Sequence, residues 1–152
     1  MKTKLTNFLK NSLTAYHAVE NCKTLLLENG FSPLFETEDF SLCEGGKYFL
    51  VRGGALIAFT VDSVKDFCYK IALSHCDSPA LKLKENPVNP SALYATLNVE
   101  KYGGANWATY MDRPLRIAGR VVKKENGISL FYHVHPSMTA TASSSSGTVQ
   151  TA

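Results

Sequence analysis

A chain of 152 residues has room for one domain with a real core, or for one domain and part of a second. Hydrophobic residues at 45% and charged residues at 19% are ordinary for a globular protein and argue against a disordered chain. The net charge of +3 is small and its Lys and Arg residues are scattered, so neither a nucleic-acid partner nor an anionic membrane is suggested.

Residues Thr3 to Ser12 are predicted to form a short helix, because Leu5, Phe8 and Leu9 recur at i, i+3 and i+4. Thr14 is placed to cap a second helix, its hydroxyl accepting from backbone N–H groups left free in the first turn. In that helix Ala15, Ala18, Val19, Cys22, Leu25 and Leu26 line one face, and Gly30 stops it. Strands follow. "KYFLVR" and "ALIAFTV" flank Gly53-Gly54 and read as a hairpin. "FCYKIALS" alternates, with Phe67, Tyr69, Ile71 and Leu73 on one face. "LYATLNVE" alternates too, with Leu93, Ala95, Leu97 and Val99 together. "LRIAGRVVKK" and "ISLFYHV" form a last pair around Glu125-Asn126-Gly127, where the Asn-Gly step is a strong hairpin signal. From Ser137 onward "SMTATASSSSGTVQTA" has almost nothing to bury and is expected to be a flexible tail.

No run approaches the roughly 18 apolar residues that a membrane span needs. The basic start "MKTKLTNFLKNSL" is interrupted by Asn7, Lys10 and Asn11, short of an apolar signal core. Cys22, Cys43, Cys68 and Cys76 form no CxxC pair and no dense framework, so a reduced cytoplasmic setting is expected.

The stretch "IALSHCDSP" carries the most chemistry. If the strand persists, residues 73, 75 and 77 continue one face, and His75 and Asp77 point the same way where the chain turns at Ser78-Pro79. A neutral imidazole is a good zinc ligand, and a carboxylate beside it can fix its tautomer and orientation. The plainer reading is a His hydrogen-bonded to a neighbouring Asp with no metal. Two residues cannot make a zinc site, and local spacing does not decide between the readings.

Other residues carry plainer readings. Cys76 falls on the opposite strand face and has no evident base, so packing fits it better than nucleophilic chemistry. His17 fits a surface or helix-packing role. Gly103-Gly104 lacks the GxGxxG spacing of a dinucleotide loop and reads as a turn. Asp112 and Arg113 suit a local ion pair worth up to about 1 kcal/mol. Trp107 suits either a subunit contact or core packing. His133 and His135 alternate and could chelate a metal together, but structural zinc wants four ligands and a solvated strand end is the simpler reading.

Four blocks, in order, resemble the aspartyl aminopeptidase family of zinc metallopeptidases. "FLKNSLTAYHAV" looks like that family's opening helices, where a Thr-Pro-Phe-His-Ala-Val-like string is usual. "GGKYFLVRGGALIAFTV" looks like its first hairpin. "SHCDSPALKLKENP" is similar to its His-Thr-Asp-Ser-Pro motif, with Cys76 in the threonine's place. "VEKYGGANWATYMDRPLRIAGRV" resembles the segment leading into its dimerisation domain. The resemblance runs from about Phe8 to Lys124.

It implies a mixed α/β fold: the N-terminal part of a zinc exopeptidase domain over 1–100, the start of a β-rich dimerisation domain over 101–136, and the tail over 137–152. It implies a di-zinc centre whose bridging water attacks the first peptide bond of a substrate with a preferably acidic N-terminal residue. His75 carries over as a zinc ligand, and Asp77 as the catalytic carboxylate that tunes its geometry. It also implies a peptide substrate and a large homo-oligomer. The family's other ligands and its general-base glutamate follow the dimerisation domain. Here "ISLFYHVHPSMTATASSSSGTVQTA" departs from that pattern, and none of the 13 acidic residues lies beyond Glu125. A truncated gene, a frameshift or a fragment would each explain this, and the chain alone is expected to be inactive. The alternative is a non-catalytic α/β module that acts by oligomerisation or partner binding through exposed strands.

Overall fold

The computed structural model describes residues 2–66, 68–90, 95–111, 113–125, 128–134, 139–142 and 148–151. They divide into two compact units, Met1–Asp77 and Ser78–Ala152.

The first unit opens with α1 (Lys2–Asn11) and α2 (Ala15–Glu28). Thr14, with extended backbone, caps α2 by accepting from the His17 amide at 3.4 Å. The helix stops as its sequence requires. Gly30 adopts φ 78°, the Gly30 amide donates to Leu27 O and the Phe31 amide donates to Leu26 O. That bonding pattern satisfies carbonyls the last turn leaves open, and a glycine reaches the left-handed conformation without a Cβ penalty.

Strand β1 (Ser32–Pro33) runs parallel to β2 (Lys47–Arg52), and β2 pairs antiparallel with β3 (Ala55–Thr60). The hairpin and its Gly53-Gly54 turn are those expected from sequence, and the turn lies against the first residues of α2, where Gly54 approaches Ala15 and Tyr16. Val19 and Ala18 of α2 are buried with Tyr48 and Phe49 of β2 as this unit's core. Burying a Val or Phe side chain is worth about 1.5–3 kcal/mol. The buried face of α2 is shorter than its periodicity suggests: His17, Ala18 and Val19 are inside, while Leu25 is exposed.

One expected strand does not form. Residues 68–79 belong to no sheet, and Tyr69, Ile71 and Leu73 lie exposed. Phe67 lies outside the described residues. Alternation gives a segment the side-chain pattern of a strand, but a strand exists only when a neighbour takes its backbone hydrogen bonds. No described strand of this unit does so.

The second unit holds β4 (Ala80–Pro90), β5 (Ala95–Tyr102), a 3-10 turn (Trp107–Tyr110), β6 (Pro114–Arg116), β7 (Gly119–Glu125), β8 (Ile128–Val134), β9 (Thr139–Ala142) and β10 (Thr148–Thr151). One sheet has the order β4-β5-β10-β9-β6, and β7 pairs with β8 separately. Leu97 is the buried centre of this unit, with Leu81, Val99 and Ile117 packed on it. Strand β4 was legible in the alternation of Leu81 and Leu83 with Lys82 and Lys84, which the sequence reading leaves unassigned. Its register on β5 slips between Leu83 and Val88. The expected strand 115–124 breaks at Ile117-Ala118 into β6 and β7.

The β7–β8 hairpin forms as expected, with Glu125 paired opposite Ile128 rather than in the connection, and Asn126-Gly127 lies outside the described residues. Where composition predicts a flexible tail, β9 and β10 pair into the larger sheet through Val149–Ala142 and Val149–Leu97. Backbone pairing does not require apolar side chains, and the β-branched Thr and Val residues of these stretches suit a pleated surface.

Candidate metal centre

His75 and Asp77 follow the unpaired segment, in chain that belongs to no helix or sheet. The structure brings them together, although the strand on which the parity argument rests does not form. His75 Nδ1 lies 2.7 Å from the backbone oxygen of Asp77 and 3.2 Å from its carboxylate Oδ1. A carbonyl oxygen can only accept, so Nδ1 carries the proton in this bond and a neutral ring keeps its lone pair on Nε2. That tautomer leaves Nε2 able to meet a metal, and the bond at the other nitrogen is the kind metal ligands usually make.

The pair is open to solvent: the His75 side chain is 79% exposed and that of Asp77 43%. It also stands short of a complete centre. Among the described residues no group of three or more His, Cys, Asp or Glu side chains is placed to hold a metal ion. The residues therefore fit a zinc ion as one ligand with its orienting partner, and do not by themselves fit a closed zinc site.

Cys76, between the two, is exposed rather than packed. It is felt at Cys22 on α2, whose thiol is pushed above its ordinary range, first by burial and then by the charge of Cys76. Their 54-residue separation gives no sequence signal of this. His17 is buried, and its Nδ1 lies 2.8 Å from the Thr14 hydroxyl, so it serves the start of α2. Trp107 stacks at a tilt on Tyr110, ring centroids 5.3 Å apart, with Lys101 Nζ 5.8 Å from its ring centre. His133 lies on β8, whereas His135 and Asp112 lie outside the described residues.

Two residues that sequence analysis did not single out for the site fix the chain just beyond Asp77. The Tyr110 hydroxyl donates to Pro79 O at 2.9 Å. Gly103, at φ 78°, packs so closely on Pro79 that a Cβ there would lie 3.3 Å from Pro79 Cα. The Tyr-Gly-Gly run already marks a turn; what it turns against is visible only in three dimensions.

Comparison with known proteins gives a consistent result. Residues 8–136 match the family model described as "Aminopeptidase I zinc metalloprotease (M18)". The "Probable M18 family aminopeptidase 2" of Clostridium acetobutylicum is 46% identical over 122 residues, covering 78% of this chain and 28% of that protein. "Aspartyl aminopeptidase 4" of Saccharomyces cerevisiae is 40% identical over 124 residues, covering 78% of this chain and 25% of that protein. The crystal structure of an M18 family aminopeptidase from Thermotoga maritima superposes with a TM-score of 0.76 at 28% identity, over 92% of this chain and 31% of that one. The chain thus spans between a quarter and a third of the length of these relatives.

Proposed function

We propose that this chain, which belongs to the M18 family of zinc metallo-aminopeptidases, supplies one zinc ligand, His75, with its orienting carboxylate, Asp77, to a peptidase centre that releases acidic N-terminal residues from peptides. The observation that carries the reading is the 2.7 Å bond from His75 Nδ1 to Asp77 O, which leaves Nε2 as the donor atom for a metal. The family's description as zinc metalloproteases and the name of the yeast relative support the metal and the acidic preference.

In this reading the Asp77 carboxylate, 3.2 Å from Nδ1, helps to hold the orientation of the ring. Zinc, when bound, supplies the Lewis acidity that makes water a nucleophile near neutral pH. A two-ion centre needs several more carboxylate and imidazole ligands and a base for the water, so the His75–Asp77 pair is expected to be inactive without them. The same reading takes 1–100 as peptidase domain and 101–136 as the start of a dimerisation domain in a homo-oligomer. It places the protein in the cytoplasm, in keeping with four free cysteines. Among the described residues no helix is long and apolar enough to cross a membrane.

Zinc titration by calorimetry, with the imidazole resonances followed by NMR, tests the ligand. His75→Ala is expected to abolish the binding, and Asp77→Ala to weaken it by roughly 10–100-fold. Equal zinc affinity in wild type and His75→Ala would remove His75 from the centre. The second reading, a non-catalytic module, is favoured by the exposed apolar side chains of Ile71 and Leu73. Under it, association persists in His75→Ala and no zinc is taken up.

A further inference from the structure

The last turn of α2 runs into Glu28-Asn29-Gly30, and Asn29 and Gly30 are exposed. An Asn-Gly step carries its own chemistry. The glycine nitrogen can attack the asparagine amide carbon and close a cyclic succinimide, because no Cβ hinders it. Space around this glycine is open: a Cβ added at Gly30 would meet nothing within 4 Å. The nucleophile is the deprotonated amide nitrogen, so an N–H held in a hydrogen bond does not react. Here the Gly30 amide donates to Leu27 O at 3.1 Å. The Asn29 amide donates to Leu25 O and Leu26 O, and the side-chain Nδ2 of Asn29 donates to Leu25 O at 2.7 Å. The cap thus restrains both reacting groups and releases them only when the helix end opens.

We propose that Asn29 is a spontaneous deamidation site gated by the C-cap of α2, and that its conversion loosens that cap irreversibly. The bond from Gly30 N to Asn29 Cγ forms as the Cγ–Nδ2 bond breaks. The Gly30 amide proton passes to solvent base and Nδ2 departs as ammonia. Water then opens the ring at either carbonyl, giving aspartate or isoaspartate. Neither product rebuilds the cap. A carboxylate only accepts, so the bond that Nδ2 donates to Leu25 O is lost and like-charged oxygens face each other there. The new charge falls at the negative end of the helix, beside Glu28, in a last turn with no basic residue. Isoaspartate also lengthens the backbone by a methylene, just before the Gly30 and Phe31 amides that satisfy Leu27 O and Leu26 O.

The test incubates the full chain in mildly alkaline buffer, with and without urea. Peptides holding Asn29 and Asn126 are followed by mass spectrometry and by enzymatic methylation of isoaspartate. Asn126-Gly127 repeats the Glu-Asn-Gly tripeptide, so in urea it reports the intrinsic rate. Without urea, Asn29 is expected to convert more slowly than with it, by the factor by which hydrogen exchange of the Gly30 amide is slowed. In Asn29→Asp, exchange of the Gly30 and Phe31 amides should speed up by roughly 2–5-fold, and by less in high salt. Three results would each overturn the proposal. They are equal conversion of Asn29 with and without urea, no conversion in native protein whose Gly30 amide exchanges, and wild-type exchange in Asn29→Asp.

Discussion

Gly46 precedes β2, and its lack of a side chain is what lets Tyr48 fold back beneath it. The Tyr48 hydroxyl accepts from the Cys43 amide at 3.1 Å and lies 3.1 Å from the Cys43 thiol. Its ring also packs on Phe59, with centroids 5.7 Å apart. A Cβ at Gly46 would fall 2.5 Å from Tyr48 Cε2 and Oη and 2.7 Å from Cζ. Carbon atoms prefer separations of about 3.5–4.0 Å, so in Gly46→Ala the ring must retreat by about 1 Å. That retreat carries the hydroxyl beyond hydrogen-bonding range of Cys43 and presses the ring toward Phe59. The ring has little freedom to yield, because Tyr48 is buried and its neighbour Phe49 is one of the most deeply buried side chains.

Overpacking of this kind costs about 1–3 kcal/mol. In a unit of this size each kcal/mol is worth about 4–8 °C, so a fall in melting temperature of roughly 4–20 °C is expected. Thermal unfolding followed by circular dichroism, with urea titration as a check, measures it. Tyr48→Leu in the Gly46→Ala background removes the ring, so the two substitutions together should cost less than the sum of their separate effects, by about 0.5 kcal/mol or more. If Gly46→Ala melts with wild type, or if the two changes simply add, the ring does not occupy the space above Gly46 and the argument fails.

Gly103→Ala should destabilise the second unit by about 1 kcal/mol or more, since it forces a Cβ into a left-handed conformation and against Pro79. An unfolding midpoint unchanged from wild type would show that the turn is built otherwise. The hydrogen bond with the Cys43 side chain raises Tyr48 above its ordinary value of 10.0. A group whose pKa is higher folded than unfolded contributes stability below the unfolded value and loses it as pH climbs through the folded one. The urea midpoint should therefore fall as pH rises above about 10, and Tyr48→Phe should flatten that fall. The same slope in wild type and Tyr48→Phe would assign it elsewhere, Cys22 being the next group raised in this unit.

Features specified by neighbours along the chain were the ones the sequence revealed. Thr14 and Gly30 bound α2 because capping and the left-handed stop are settled within a few residues, and the β2–β3 hairpin follows from two alternating runs around Gly53-Gly54. The meeting of His75 and Asp77 is equally local, an i, i+2 relation within one loop. The family was legible because its motifs keep their order along the chain. Tertiary structure alone decided the rest. Whether 68–74 becomes a strand depends on a backbone partner, which alternation cannot supply. Whether 139–142 and 148–151 join a sheet depends on the edge offered by β5, which composition cannot show. Leu25 stays exposed at a position its periodicity would bury. The contacts of Tyr48 with Cys43 and of Tyr110 with Pro79 arise when turns bring side chains back on the chain, and no spacing rule encodes them.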